Sequence, residues 1–149
     1  MSDLLEARLD RIVVGLDGSE CAARALRWAA DEAGVRGSEL HIVTAFAPPD
    51  VVGVPGARFP VERPEQTRER AQRLQSKWLS EALGDDYPDV AMLTEVRMGQ
   101  SAETLLEAAK NGDMLVVGSR GRGGFKGLML GSVSMQCVTH AEGPVTVIP

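Results

Sequence analysis

Residues 11–34 read "RIVVGLDGSECAARALRWAADEAG". The opening run, 11–17, is short, β-branched and apolar, and it ends in turn residues, as a fully buried strand does. Ser19 stands where a helix N-cap belongs. Ala22, Ala25, Leu26, Ala29, Ala30 and Ala33 then recur at helical spacing, until Gly34 or Gly37 closes the helix. A buried strand leading at once into an amphipathic helix is the first half of a βαβ unit.

The rest of the chain continues that alternation. "ELHIVTAF" (39–46) reads as a second buried strand. "APPDVVGVPGARFPVERP" (47–64) has no period and many Pro and Gly residues, so it is a loop, long enough to be either functional or mobile. Helical spacing returns over 65–83, with Ala71, Leu74, Trp78, Leu79 and Ala82 on one face. "DVAMLTEVRM" (89–98) is a third strand, followed by a helix capped by Ser101 that turns Ala102, Leu105, Leu106 and Ala109 inward. "DMLVVGS" (113–119), a helix over 132–140 capped by Ser132, and the strand "PVTVIP" (144–149) complete the order. Strands alternating with helices imply crossover connections, a parallel sheet and one doubly wound α/β domain spanning residues 1–149.

Composition narrows the function. The chain has 149 residues, 44% hydrophobic and 25% charged, an ordinary globular profile. Its formal charge is −5, from 16 basic and 21 acidic residues, which disfavours binding to nucleic acid or to an anionic membrane surface. The amino terminus, "MSDLLEARLDR", lacks the apolar core of a signal peptide, and no stretch is apolar enough to span a bilayer. Cys21 and Cys137 form no C-x-x-C pair and read as buried free thiols of a reducing cytoplasm. His41 and His140 have no partners at metal or catalytic-triad spacing, so both read as structural.

In an open parallel sheet, ligands bind beyond the carboxyl ends of the strands. After the fourth strand lies "GSRGRGGFKGLMLGSVS" (118–134), which leads into the helix at Ser132. Glycine-rich backbone ahead of a helix start offers N–H groups and a positive dipole end, and phosphate is the natural occupant. Arg120, Arg122 and Lys126 gather cations there on an otherwise acidic chain. The common phosphate motifs are nevertheless absent. Lys126 is out of register for a Walker A loop, and "GLDGSE" after the first strand is no dinucleotide fingerprint. The loop of adenylating ATP pyrophosphatases is missing, and a phosphoreceiver's acidic constellation is reduced to Asp17. No Ser-His-Asp set or carboxylate pair can be assembled, so no catalytic residue is assigned.

The spacing Gly118-x2-Gly121-x9-Gly131-Ser132 resembles that of the nucleotide-binding universal stress proteins. "VVGLDGSE", "LHIVTAF", "MGQSAETLLEAA" and "GPVTVIP" extend the resemblance over nearly the whole chain. It implies a Rossmann-like five-stranded parallel sheet of order 3-2-1-4-5, helices on both faces, and ATP with Mg across the ends of strands one, two and four. Gly15 and Asp17 match the positions near adenine and ribose, and Ala45 matches a backbone contact to the adenine edge. Gly118 and Gly121 match residues closing on the ribose and first phosphates. Gly131, Ser132, Val133 and Ser134 would present N–H and hydroxyl donors to the β and γ phosphates. Leu16, Val117, Ser119, Arg120, Arg122, Gly123 and Gly124 complete the implied nucleotide-binding set. The resemblance also implies a homodimer through the carboxyl-terminal strand 144–149.

The function so implied is an ATP-binding, cytoplasmic stress-response sensor or regulator with at most slow hydrolysis, acting with a protein partner. Two alternatives remain at this point: a dimeric interaction module independent of nucleotide, and a binder of AMP or cyclic AMP. An ATP-cleaving enzyme is disfavoured by the missing motifs.

Overall fold

The computed structural model describes residues 10–47, 63–85, 87, 89–110, 113–121 and 130–149. Nine elements follow in strict alternation: β1 (Arg11–Gly15), α1 (Glu20–Arg36), β2 (Glu39–Phe46), α2 (Pro64–Leu83), β3 (Met92–Met98), α3 (Ser101–Ala108), β4 (Met114–Gly118), α4 (Ser132–His140) and β5 (Val145–Ile148). All neighbouring strands pair in parallel, in the order β3-β2-β1-β4-β5. The expected fold class and strand order are therefore those observed.

Successive side chains of a strand point to opposite faces, so each central strand supplies two cores. Ile12, Val14, Leu40, Ile42 and Val116 pack beneath α1 and α2. Val13, Val43, Leu115 and Val117 face the other way, with Cys137 and the inward residues of α3. Burying each such side chain contributes about 1.5–3 kcal/mol. Burial pushes the Cys137 thiol up to about 11, and both cysteines are free. Cys21, by contrast, is only partly buried.

Helix α1 buries the six residues its spacing selects: Ala22, Ala25, Leu26, Ala29, Ala30 and Ala33. The Ser19 hydroxyl accepts the Ala22 N–H at 3.2 Å. Gly37, not Gly34, ends the helix, in the left-handed region at φ 66° with its N–H on the Ala33 carbonyl. Because alanine keeps the helix surface shallow, α1 sits close to the sheet. That closeness governs Gly118, as described below.

Several expectations are corrected. Ser101 and Ser132 are the first helical residues, while the extended cap positions belong to Gln100 and Gly131, neither of which supplies a side-chain cap. On α2, Leu74 is 37% exposed and Gln75 is buried instead. The Gln75 amide donates toward the Glu95 carbonyl at 2.8 Å, Thr44 Oγ1 at 3.1 Å and the Ile42 carbonyl at 3.3 Å, so its burial leaves no stranded donor. Strand β3 begins at Met92 rather than at residue 89 and lies at the sheet edge, with Leu93 45% exposed. The loop expected over 47–64 falls largely on residues 48–62, outside the described residues.

His41 is buried on β2, with Nε2 2.8 Å from Glu95 Oε2. Hydrogen bonds from Arg97, first, and from His41 hold the Glu95 carboxyl below its usual range despite partial burial. An ionised Glu95 only accepts, so His41 Nε2 carries the hydrogen; Nδ1 is buried with no partner among the described residues. His140 ends α4, where a basic residue complements the helix dipole.

Candidate functional site

The carboxyl ends of β1, β2 and β4, the starts of α1, α3 and α4, and Trp78 of α2 enclose a cleft of about 430 Å³, the size of a small-molecule site. Of the residues singled out from the sequence, Gly15, Leu16, Asp17 and Ala45 line it from β1 and β2. Val117, Gly118, Arg120 and Gly121 line it from β4, and Gly131, Ser132, Val133 and Ser134 from the start of α4. Ser119 does not line it. Its carbonyl instead accepts the Gly131 N–H at 2.6 Å and the Ser134 hydroxyl at 3.0 Å, tying the two ends of the glycine-rich segment together. The Ser134 hydroxyl, expected to face a ligand, is thereby directed to main-chain carbonyls, including that of Gly131 at 3.0 Å. Arg122, Gly123 and Gly124, with Lys126, lie outside the described residues.

Asp17 has one oxygen committed and one facing the cleft. Oδ1 accepts the Ser19 N–H at 2.9 Å, which closes the β1–α1 turn. Oδ2 lies 2.8 Å from where a Cβ on Gly121 would stand. Asp17 is the one acidic side chain among the described residues lining the cleft, and Arg120 the one basic. No cluster of His, Cys, Asp or Glu suited to hold a metal occurs among the described residues.

The glycines separate on physical grounds. A Cβ on Gly118 would meet Cys21 Cβ at 2.7 Å, the Cys21 carbonyl carbon at 2.8 Å and the Ala22 nitrogen at 3.0 Å, so the α1 backbone itself demands glycine there. At Gly15 the obstacle is the flexible side chain of Leu105, 2.8 Å away. Gly131 is different: φ is −72° and an added Cβ would find nothing closer than 3.4 Å. Among the described residues, neither backbone conformation nor packing at the Cβ requires glycine at that position. What its missing side chain does is leave the N–H groups of the first helical turn, Ser132 to Ser134, uncapped on the cleft.

Sequence reasoning missed Ser19, Ala22, Val43, Thr44, Ser101, Leu105 and Trp78 as cleft residues. Thr44, Ser101 and Ser19 were recoverable in principle, since each lies at a strand end or helix start on the ligand side of the sheet. Trp78 was not: its helix spacing marks it only as inward-facing.

The profile of the Universal stress protein family matches residues 8–149. Universal stress protein Rv2005c of Mycobacterium tuberculosis is 38% identical over 136 residues, covering 91% of this chain and 44% of that protein. The chain thus spans under half the length of this curated relative. Among solved structures, universal stress protein UspA from Lactobacillus plantarum superposes with a TM-score of 0.73 at 22% identity, over 97% of this chain and all of that one. A universal stress protein in complex with cAMP gives a TM-score of 0.64 at 24% identity, over 95% of this chain and 98% of that one. One from Archaeoglobus fulgidus in complex with dAMP gives 0.60 at 19% identity, over 93% and 97%.

Proposed function

This chain belongs to the universal stress protein family, and from that premise we propose that its cleft binds an adenine nucleotide, ATP in preference, as the input of a stress-response regulator. The observation that carries the reading is Gly131. A position where the described residues leave room for a Cβ stands as glycine, at the start of a helix whose first N–H groups have no side-chain cap among those residues, the arrangement a phosphate needs. Solved relatives hold cAMP and dAMP, which supports the adenine part of the reading. The base and sugar then lie by Gly15, Leu16, Asp17 and Ala45, and the phosphates by Gly121 and residues 131–134, with Arg120 screening their charge. Magnesium commonly binds through phosphate oxygens and one or two carboxylates, and Asp17 is suitably placed to contribute one. With Oδ1 of that carboxylate already hydrogen-bonded, the described lining offers no second base to activate water, so turnover is slow and binding is the function.

Calorimetry with ATP, AMP and cyclic AMP tests this. ATP is expected to bind most tightly. Ser132→Ala removes one donor at the helix start, and losing a hydrogen bond to a charged oxygen costs about 1.5–3 kcal/mol, roughly ten- to hundredfold in affinity. AMP, which ends at the first phosphate, should lose little. Equal losses for both ligands would move the β and γ phosphates away from α4, and no binding of any of the three would leave the nucleotide-independent interaction module.

We also propose a homodimer through β5. Strand β5 pairs with β4 on one side only, so its other edge is unpaired among the described residues, and all four of its residues are merely half-buried. Helix α4, which packs against it, exposes Met135 (52%) and Val138 (50%) on an otherwise polar surface. Unpaired apolar edges recruit strands, and a two-fold axis would pair β5 with its own copy. Val147→Lys is expected to sediment as a monomer with an unchanged far-UV spectrum; a variant that stays dimeric moves the interface elsewhere.

A further inference from the structure

Trp78 enters the cleft from α2, a helix separated in sequence from the β1–α1 turn that it touches by α1, β2 and the connection after β2. That turn is pinned at each of its three residues. Asp17 Oδ1 holds the Ser19 N–H, and Ser19 caps α1. Between them Gly18 adopts φ 85°, and a Cβ there would lie 2.5 Å from Cε2 of the Trp78 indole and 2.7 Å from each of its ring neighbours, Cζ2 and Nε1. Near-equal distances to three consecutive ring atoms put Gly18 over the face of the indole rather than at its edge. Only glycine suits that point, both for its φ and for its space. Among the described residues, the indole is the group from outside the β1–α1 segment that backs Gly18 itself. One residue before the turn, the Leu16 carbonyl accepts the Thr44 hydroxyl at 2.7 Å and the Leu16 N–H donates to the Val43 carbonyl at 2.9 Å. The indole's own footing is firm, since it packs half-buried against the core under α1 and α2. Trp28, the other tryptophan, packs against the same core without lining the cleft.

Resting on the nucleotide reading above, we propose that Trp78 is a positioning residue that, by clamping Gly18, sets the Asp17 carboxylate for the ribose 2′-hydroxyl and so makes the site select ribonucleotides over deoxyribonucleotides. With the clamp in place, Oδ1 stays on the Ser19 N–H and Oδ2 stays toward the cleft, facing Gly121. Without it, the left-handed residue between two anchored neighbours loses its backing, and the carboxylate gains freedom that must be surrendered on binding. The helix-start donors assigned to the phosphates belong to β4 and α4 rather than to this turn, so in the absence of magnesium, which Asp17 would help to hold, they do not depend on the clamp.

The test measures dissociation constants of AMP, 2′-deoxy-AMP and ATP, without added magnesium, for the parent chain, Trp78→Leu and Trp78→Phe. The parent should prefer AMP over its deoxy analogue by about tenfold, the size of one hydrogen bond to a charged group. Trp78→Leu keeps an apolar side chain but loses the flat face, and should bring that preference close to one while the ATP:AMP ratio is retained. Trp78→Phe, with a smaller ring, should fall between and guards against a leucine variant that does not fold. A merely structural tryptophan would weaken all three ligands by one factor and leave the preference intact, which overturns the assignment. A parent without ribose preference overturns it as well. Failure of the parent to bind any of the ligands instead removes the nucleotide reading, and this assignment with it.

Discussion

Gly131→Asp is expected to raise the thermal stability of the domain slightly while lowering ATP affinity at least a hundredfold. The backbone at 131 is already extended, and the nearest atoms to an added Cβ would be the Ser119 carbonyl oxygen at 3.4 Å and Arg120 Cα at 3.5 Å, so aspartate fits without strain. Its carboxylate would accept from the first-turn N–H groups that are now uncapped. Relative to glycine that is worth a few tenths of a kcal/mol, and a negative charge at the positive end of the helix adds roughly 0.3–1 kcal/mol. The same carboxylate would occupy the donors assigned to phosphate and repel it. Loss of two charge-assisted hydrogen bonds, at about 1.5–3 kcal/mol each, corresponds to a hundredfold or more. Gly131→Ala separates shape from charge and should change stability little. Thermal melts and calorimetry on the same samples decide the matter: an aspartate variant that melts higher and still binds ATP as tightly as the parent would detach the start of α4 from the phosphates.

Gly118→Val should have the opposite profile, a large loss of stability with no selective effect on nucleotide. The obstructing atoms are Cys21 Cβ and the main chain of Cys21 and Ala22, which cannot swing away as a side chain can. Relief requires α1 to lift from β4, and α1 carries Ala22, Ala25, Leu26, Ala29, Ala30 and Ala33 into the core. Overpacking a tight core costs about 1–3 kcal/mol, and valine at this contact belongs at the upper end. For a domain of this size that is a fall of roughly 6–12 °C in the unfolding midpoint. What remains folded should keep the parent's ATP:AMP ratio. A valine variant with an unshifted midpoint would show that α1 can move outward without cost, and would return Gly118 to a purely ligand-directed explanation.

The element order and the parallel sheet were legible in the chain because they rest on local periodicity and on the sequence in which elements follow one another, whereas the strand order came only with the family resemblance. The buried face of α1 could be read residue by residue, and Ser19 was recognisable as its cap, for the same reason: hydrophobic spacing and capping act within a few residues. The cleft's position followed too, since strand ends and helix starts meet wherever a parallel sheet is doubly wound. Tertiary structure alone decided the rest. Gly118 and Gly131 look alike as letters, yet one is pressed against α1, nearly a hundred residues earlier in the chain, and the other meets no described residue that needs glycine. Leu74 and Gln75 exchanged their expected places because α2 crosses β2 and β3 where carbonyls and a hydroxyl await a donor, a fact of docking angle rather than of helical period. Trp78 became part of the cleft only when α2 came to rest over Gly18. Periodicity determines which way a side chain faces along its own element; what it meets there is set by distances between segments that the order of residues does not encode.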